Sequence, residues 1–400
     1  MSVTMSRDSR DLQIPHPVAI RRCADYDPDT VHAAVSGTVD LLGGIDRYVR
    51  PGSTVLLKPN LLFGAAPERA VTTHPAVLTA VGTLLADQGC RVIIADSPGA
   101  GTPYTPRALR RAYQDAGYDR VAREIGAELA TGTESRMAAF PEGRVMKQFP
   151  VIAPALEADA VVNVCKLKTH VFTTLSAATK NLFGLVPGYE KPAFHARFPD
   201  PDDFSEMLVD LAEFVRPALS LADGVIAMGG DGPMSGIPSS LGYVLASPSP
   251  YPLDLVAARV MGMDPDRIGV VTAACRRGLT DPEMAAMSIR GDPLPDQGSH
   301  PLHPAGYVSG RPRSASFRIR MARSLGWMYT HYPAMHAASC TACWRCVRSC
   351  PRQAIELRDG VPHITYRRCI RCYCCHEMCP SGAISLRRPL AGRVVSRFVG

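Results

Sequence analysis

The chain has 400 residues, of which 46% are hydrophobic and 20% charged, a globular composition with enough apolar material for a large domain and a small one. No stretch approaches the roughly 20 apolar residues of a membrane helix, and the arginine-containing start lacks the apolar segment of a signal peptide. Thirteen cysteines in a chain without a secretion signal indicate metal binding rather than disulfides, so we expect a cytoplasmic protein.

The predicted elements alternate between strands and helices. Residues 1–50 hold a polar leader and a helix over 30–49. Strands are then expected at 54–57, 91–95 and 160–164, and helices at 75–87, 106–116 and 204–215. This alternation predicts an α/β domain over residues 51–290, built on a large mixed or mainly parallel sheet.

A segment rich in Pro and Gly, within residues 291–334, reads as a linker. It ends in a basic amphipathic stretch over 317–328, which we interpret as a packed connector; the alternative is a membrane-surface helix. A small ferredoxin-like α+β domain is expected over 335–387, followed by a basic tail at 388–400.

The small domain contains an internal repeat. CTACWRCVRSCPRQAIEL, from Cys340, aligns without gaps with CIRCYCCHEMCPSGAISL, from Cys369. Two short strands around 355–357 and 363–365, with a turn between them, join the halves.

Each repeat has the spacing C-x2-C-x2-C-x3-C-P, which is typical of two-cluster ferredoxins and predicts two [4Fe–4S] clusters. In this spacing the fourth cysteine binds the other cluster. One predicted ligand set is Cys340, Cys343, Cys346 and Cys379, and the other is Cys369, Cys372, Cys375 and Cys350. The alternative, a pair of zinc sites, fits less well because structural zinc usually takes two separated cysteine pairs. Cys374 is surplus to either count.

Charge is concentrated at the C-terminal end. From residue 311 onward there are sixteen arginines and three acids, a net charge of +13, whereas the preceding part carries −6. We therefore expect an acidic electron donor, such as a ferredoxin or flavodoxin, to bind there. The alternative is that the arginines offset the negative charge of the clusters. No nucleic-acid-binding motif accompanies them, and no nucleic acid is expected.

Lysine is rare, with six residues against thirty-eight arginines. Five of the six lie in three motif-like segments, LLKPNLL (56–62), NVCKLKTH (163–170) and TKNLFGLVPGYEK (179–191). The first two segments follow predicted strands, and ligands of open α/β sheets bind at strand ends. A compact ammonium retained in an arginine-rich chain favours an anion-binding role.

These segments, with VIIADSPG (92–99) and DGVIAMGGDGPMSG (223–236), resemble domain of unknown function family 362 over residues 50–265. In that family the domain is often fused to a two-cluster ferredoxin module. The resemblance implies this arrangement and no particular activity.

The candidate site outside the cysteines is a polar set at strand ends. We assign proton transfer to His170, Lys168 and Lys58, and binding of a small anionic substrate to Asn60, Asp96, Lys166, Lys180, Asn181 and Asp231. The glycines around Asp231 could cradle an anion or form a plain turn. The chain carries no phosphate-binding loop and no dinucleotide fingerprint.

Three functions remain open. The first is an iron–sulfur reductase that passes electrons from a ferredoxin-type donor to the small anion. The second is a relay or binding protein that delivers electrons to a separate enzyme. The third, clusters that only stabilise the fold, is disfavoured because one cluster would suffice for that.

Overall fold

The computed structural model describes residues 16–99, 102–284, 287–296, 302–304, 331–358, 360–387 and 389. The predicted connector at 317–328 lies outside these residues, as does nearly all of the basic tail.

A nine-stranded mixed sheet forms the centre of the large domain. Its strands are β1 (Val18–Arg22), β2 (Thr54–Lys58), β3 (Arg91–Ile94), β4 (Glu128–Leu129), β7 (Ala160–His170), β8 (Thr174–Ser176), β9 (Leu219–Gly229), β10 (Ile237–Ser247) and β11 (Ile289–Gly291). A separate hairpin pairs β5 (Ser135–Ala139) with β6 (Gln148–Ile152). The sheet order is β11-β1-β10-β9-β7-β2-β3-β4, with β8 paired to β7.

The strands β9, β7, β2, β3 and β4 are parallel, as the alternation of strands and helices predicts. The pairs β9–β10 and β10–β1 are antiparallel, which makes the sheet mixed. β7 extends six residues beyond its predicted end, through the segment that carries Lys166, Lys168 and His170.

Helices cover both faces of the sheet. They are α1 (Pro28–Asp40), α2 (Pro75–Asp87), α3 (Pro106–Asp115), α4 (Tyr118–Ile125), α5 (Ala153–Glu157), α6 (Ala178–Asn181), α7 (Lys191–Arg197), α8 (Pro201–Val215), α9 (Pro250–Val260) and α10 (Gly269–Arg276). Alternate residues of the strands enter opposite cores: Leu56 packs in one hydrophobic cluster, and Val55 and Leu57 pack in the other.

The small domain is the predicted ferredoxin-like unit. β12 (Tyr332–Met335) pairs with β15 (Ile384–Arg387), and β13 (Ile355–Arg358) pairs with β14 (Val361–Ile364), both antiparallel. Each repeat adds one short helix, α11 (Arg345–Arg348) in the first and α12 (Cys374–Glu377) in the second. The small domain packs on the large one, since Tyr373 belongs to a hydrophobic cluster of the large domain.

Candidate functional site

A cavity of about 80 Å³ lies between the large domain and the second cysteine repeat. Its floor comes from the carboxyl ends of the neighbouring strands β2, β3 and β7, where parallel strands leave a crevice. Its opposite wall is formed by Cys374, Glu377 and Met378 of the repeat. The approach is close at Gly99, where an added Cβ would lie 3.0 Å from the sulfur of Met378.

Three buried or half-buried lysines line the cavity: Lys168, Lys180 and Lys191. Nζ of Lys168 donates to Asn60 Oδ1 at 2.6 Å and to the carbonyl of Val71 at 2.7 Å. Burial, together with the neighbouring charge of Lys180, lowers the pKa of Lys168 to about 7. Burial also lowers the pKa of Lys191 to about 7, although its ammonium donates to the carbonyls of Ser97 and Pro98.

Lys180 is held differently. Its Nζ lies 5.1 Å from the ring centroid of Phe183 and 5.9 Å from that of Phe204, both cation–π distances. Burial lowers the pKa of Lys180, and the carboxylate of Glu377 opposes the shift. Among the described residues no hydrogen-bond acceptor contacts this ammonium, so it is available to an anion in the cavity.

His170 and Glu377 meet across the two domains. Nδ1 of His170 accepts hydrogen bonds from the backbone N–H groups of Phe172 and Thr173, so the proton of the neutral ring is assigned to Nε2. That nitrogen lies 3.5 Å from Oε1 of Glu377. Burial holds the pKa of His170 well below its usual range, and the ring is neutral. Burial also raises the pKa of Glu377 to about 7, against the effect of Lys180.

Three buried polar atoms of the cavity wall lack a hydrogen-bond partner among the described residues: Oε1 of Glu377, Nδ1 of His195 and Oγ of Ser97. The ring of His195 stacks on Phe204, with centroids 4.5 Å apart. Buried polar atoms are usually satisfied, and three left without a partner at one cavity indicate a place where a ligand or water is bound.

Asn60, Asp96 and Asn181 line the cavity and are held by hydrogen bonds. Nδ2 of Asn60 donates to Oδ1 of Asn181 at 2.9 Å. The carboxylate of Asp96 accepts from the backbone N–H groups of Leu61 and Ser97. A Cβ at position 184 would overlap this carboxylate, which accounts for the glycine of the TKNLFG segment.

Three predicted residues lie away from the cavity wall. Lys58 is fully buried beneath it and pairs with Asp96 at 3.2 Å, so it supports the site without facing the cavity. Lys166 pairs with Asp223 at 2.9 Å and donates to the hydroxyl of Tyr26 at 2.6 Å. Lys166 lies opposite Asp223 on β9, and the register of the β7–β9 pair shifts between Lys166 and Lys168. Asp231 does not line the cavity, although Pro233 of the same loop does.

Sequence reasoning missed Lys191, His195 and Glu377. Lys191 is the last residue of the segment TKNLFGLVPGYEK, and the rarity of lysine in this chain could have identified it as a site residue. Glu377 is the one acid between the first and last cysteines of the two repeats (residues 340–350 and 369–379), and it occupies the position of Arg348 in the first repeat. Nothing local in the sequence distinguishes His195.

The cysteines of the small domain fit [4Fe–4S] clusters in their number, grouping and backbone environment. A second cavity, of about 20 Å³, is lined by all four members of one predicted set: Cys350, Cys369, Cys372 and Cys375. For the other set, burial raises the pKa of Cys346 to about 11, and the cysteines that add to this rise are Cys379, Cys343 and Cys340. The assignment of individual ligands stays a prediction.

Equivalent backbone features recur 29 positions apart in the two repeats. Left-handed residues occur at Ala342 and Arg371, and again at Trp344 and Tyr373. The backbone N–H groups of Ala354 and Ala383 each donate to a cysteine sulfur, Cys350 and Cys379 respectively, at 3.1 Å. Donors of this kind favour a thiolate ligand. Within the described ranges, no three His, Cys, Asp or Glu side chains converge on the position of a single metal ion; in a [4Fe–4S] cluster each cysteine binds a different iron.

Comparison with known proteins gives two family matches. Residues 55–259 match the model of a domain of unknown function, DUF362, and residues 339–383 match a 4Fe-4S dicluster domain. No helix in the part of the chain that the structure describes is long and apolar enough to cross a membrane.

The chain is similar to the thylakoid-associated protein sll1697 of Synechocystis sp., with 35% identity over 271 residues, which cover 66% of this chain and 79% of that protein. Among solved structures, the lactate racemase apoprotein of Thermoanaerobacterium thermosaccharolyticum aligns at 15% identity and a TM-score of 0.38. That alignment covers 62% of this chain and 58% of the racemase. The DUF362 model matches about half of the chain, and the Synechocystis protein is 35% identical over 79% of its length. The chain therefore belongs to the DUF362 family and carries a C-terminal [4Fe–4S] module.

Proposed function

We propose that the protein is an iron–sulfur oxidoreductase that passes electrons from two [4Fe–4S] clusters to a small anionic substrate in the cavity. The observation that carries this proposal is the shared cavity: lysines of the large domain face the wall formed by Cys374, Glu377 and Met378. Cys374 lies between two cysteines of the second predicted ligand set, and Glu377 and Met378 follow Cys375 of that set in the chain. When bound, the clusters would supply electrons one at a time.

Charge and size define the expected substrate. Lys168, Lys180 and Lys191 surround the cavity, and Glu377 is the acid that faces them from the small domain. A water needs about 10–15 Å³ of such volume, so the cavity has room for about six water molecules or one small organic acid. We expect a carboxylate or phosphate group to bind at Lys180, whose ammonium has no acceptor among the described residues.

Proton transfer is assigned to Lys168 and His170. With a pKa of about 7, the ammonium of Lys168 can release a proton at neutral pH, and Asn60 orients it. The Nε2–H of His170, whose nitrogen lies 3.5 Å from Oε1 of Glu377, is the second available donor at the cavity wall. Lys58 acts through Asp96 and is a positioning residue in this scheme.

The relay alternative has less support. A domain that only docked an electron-accepting enzyme would not need buried lysines around a cavity, because burying each ammonium is costly. A structural role for the clusters does not explain that space either. The cytoplasm stays the proposed location, since a site with many free thiols favours a reducing compartment.

Reoxidation of the reduced clusters tests the function. The loaded protein, reduced anaerobically, would be mixed with a panel of small carboxylates and phosphates while cluster absorbance is followed. We expect one chemical class to reoxidise the clusters with saturation. Lys180→Ala should raise the half-saturating concentration at least about tenfold, equivalent to about 1.4 kcal/mol.

The matched control is Lys147→Ala. Lys147 is exposed, lies outside the cavity, and donates to the carbonyl of Pro141. Clusters of both variants should remain reducible. If Lys180→Ala and Lys147→Ala behave alike with every acceptor, the cavity is not the substrate site.

A further inference from the structure

The outer face of the first cysteine repeat is exposed where the second repeat is buried. Residues 341–344 are all exposed, whereas every residue from 372 to 379 is buried. Trp344 is 46% exposed and its counterpart Tyr373 is 9% exposed. Cys343 is likewise exposed and its counterpart Cys372 is buried. Half of a duplicated unit therefore faces the cavity and the other half faces solvent.

This outer face is strongly basic. We define it by Cys343, Trp344, Arg345, Arg348 and Arg352, and no acid occurs between residues 340 and 355. Nη2 of Arg348 donates to the carbonyl of Cys343 at 3.1 Å, which fixes its guanidinium beside the exposed cysteine. In the second repeat, the positions of Arg345 and Arg348 are taken by Cys374 and Glu377, which line the cavity instead.

We propose that this outer face docks a small acidic one-electron carrier protein. The face has features of a transient interface: an exposed aromatic residue, Trp344, with arginines close to it in the chain. In each transfer one electron leaves the reduced carrier and one electron reduces the small domain, with no bond made or broken. The proposal rests on the proposed function only in taking the small domain as the point where electrons enter.

Charge complementarity favours an acidic carrier protein as the occupant of the outer face. An acidic carrier is steered toward an arginine surface, and electron-transfer complexes of this kind are usually small and salt-sensitive. The chain's own C-terminal segment is not the complement of the face, because residues 388–400 contain three arginines and no acid. A second copy of the same face would repel it for the same reason.

The test uses flavodoxin, an acidic flavoprotein, with the cluster-loaded protein. Reduction of the clusters by flavodoxin hydroquinone would be followed by stopped flow, and binding of oxidised flavodoxin by calorimetry. The charge-reversal variant is Arg345→Glu with Arg348→Glu. The control is Arg107→Glu with Arg110→Glu, two exposed arginines of α3 whose reversal changes net charge by the same amount.

We expect the wild-type rate to fall steeply between about 10 mM and 500 mM salt, as screening shortens the range of the attraction. The face variant should react at least about tenfold more slowly at low salt and lose most of this dependence, with binding weakened in parallel. The control should stay within about threefold of wild type. Reduction by dithionite, which needs no docking, should be equal in all three proteins.

Equal slowing in both double variants would overturn the proposal, because general charge and not this face would then steer the carrier. An unchanged rate in the face variant would also overturn it. So would self-association of the wild type that the face variant abolishes. Neither readout involves a substrate, so a protein that reduces nothing in the cavity could still dock the carrier, and the two proposals fail separately.

Discussion

The two cysteine repeats share their chemistry and differ in their surroundings. Both have the same cysteine spacing, left-handed residues at the same positions and the same N–H to sulfur hydrogen bond. Cluster binding requires these features, so duplication preserves them. The side chains between the cysteines are free to differ, and they decide what each repeat faces. In the second repeat Tyr373, Cys374 and Glu377 face the large domain, and in the first Trp344, Arg345 and Arg348 face solvent.

The two repeats therefore give the small domain two different surfaces. An exposed basic repeat at one end and a repeat against a lysine-lined cavity at the other suit electron flow from a carrier to a substrate. Each prediction below removes or tests one of these differences.

The largest effect should be on iron content, when a cysteine ligand is replaced in one repeat or in the other. Cys350→Ser lies in the first repeat, yet it should damage the cluster held by Cys369, Cys372 and Cys375. Cys379→Ser should damage the other cluster. Wild type should contain about eight iron atoms per chain and each variant about four, as measured by iron and sulfide analysis.

Electron paramagnetic resonance of the reduced variants shows which of the two clusters is lost. Cys374→Ser serves as the control, because this cysteine lies in the same run and is surplus to the ligand count. The crossed assignment is wrong if Cys350→Ser and Cys346→Ser remove the same signal.

The next effect concerns stability at the equivalent aromatic positions. Tyr373 is buried in a core cluster of the large domain, so Tyr373→Ala should lower the free energy of unfolding by about 3–5 kcal/mol. Trp344→Ala, at the exposed position, should change it by less than about 0.5 kcal/mol. Denaturant unfolding of the cluster-loaded proteins under anaerobic conditions measures both. Similar losses would show that the first repeat is also packed against other parts of the chain.

A smaller effect is expected from pH at the cavity. Lys168 and Lys191 have pKa values near 7 because they are buried, so both lose charge as pH rises through about 7. Binding of a small anion should weaken over that range, by about tenfold for each ammonium lost. Docking of flavodoxin on the first repeat depends on arginine and should not change there. Calorimetric titrations between pH 6 and about 8.5 compare the two.

The same shifts have the opposite effect on stability. Between about pH 7 and the usual lysine value, the unfolded chain binds more protons at these two positions than the folded chain does. The free energy of unfolding should therefore rise with pH in that window, so far as these lysines contribute. Lys168→Met and Lys191→Met should each reduce this slope, whereas Lys147→Met should leave it unchanged. If the free energy of unfolding still rises with pH as steeply in both cavity variants, other groups cause the rise.

Much of the fold follows from local patterns in the sequence. The helix at 75–87 and the strand starting at Thr54 appear where the apolar periodicity places them, because buried parallel strands and amphipathic helices have distinct periods. The antiparallel partner β10 was not anticipated. The N-terminal part of β10 is largely exposed, and its pairing with β9 includes a register shift. The sequence of β10 therefore shows neither a regular alternation of apolar and polar residues nor a short turn that would predict the strand.

The site is predictable in its components and less so in its arrangement. Strand ends identify Asn60, Lys168 and His170, which do meet at the cavity. Spacing alone places Lys166 beside Lys168, but Lys166 lies opposite Asp223 on β9 and pairs with that carboxylate. Glu377 lies more than 200 residues from His170 in sequence, and only the packing of the two domains brings them to 3.5 Å.

The most direct measurement is the response of each cluster to an anion in the cavity. A small carboxylate that reoxidises the protein would be titrated into the reduced wild type, Cys350→Ser and Cys379→Ser, with the resonance signal of each cluster recorded. The account predicts a saturable change in the signal of the cluster assigned to Cys369, Cys372 and Cys375, present in Cys379→Ser, absent in Cys350→Ser and weakened by Lys180→Ala. A change confined to the other cluster, or equal in both, would contradict the proposed direction of electron flow.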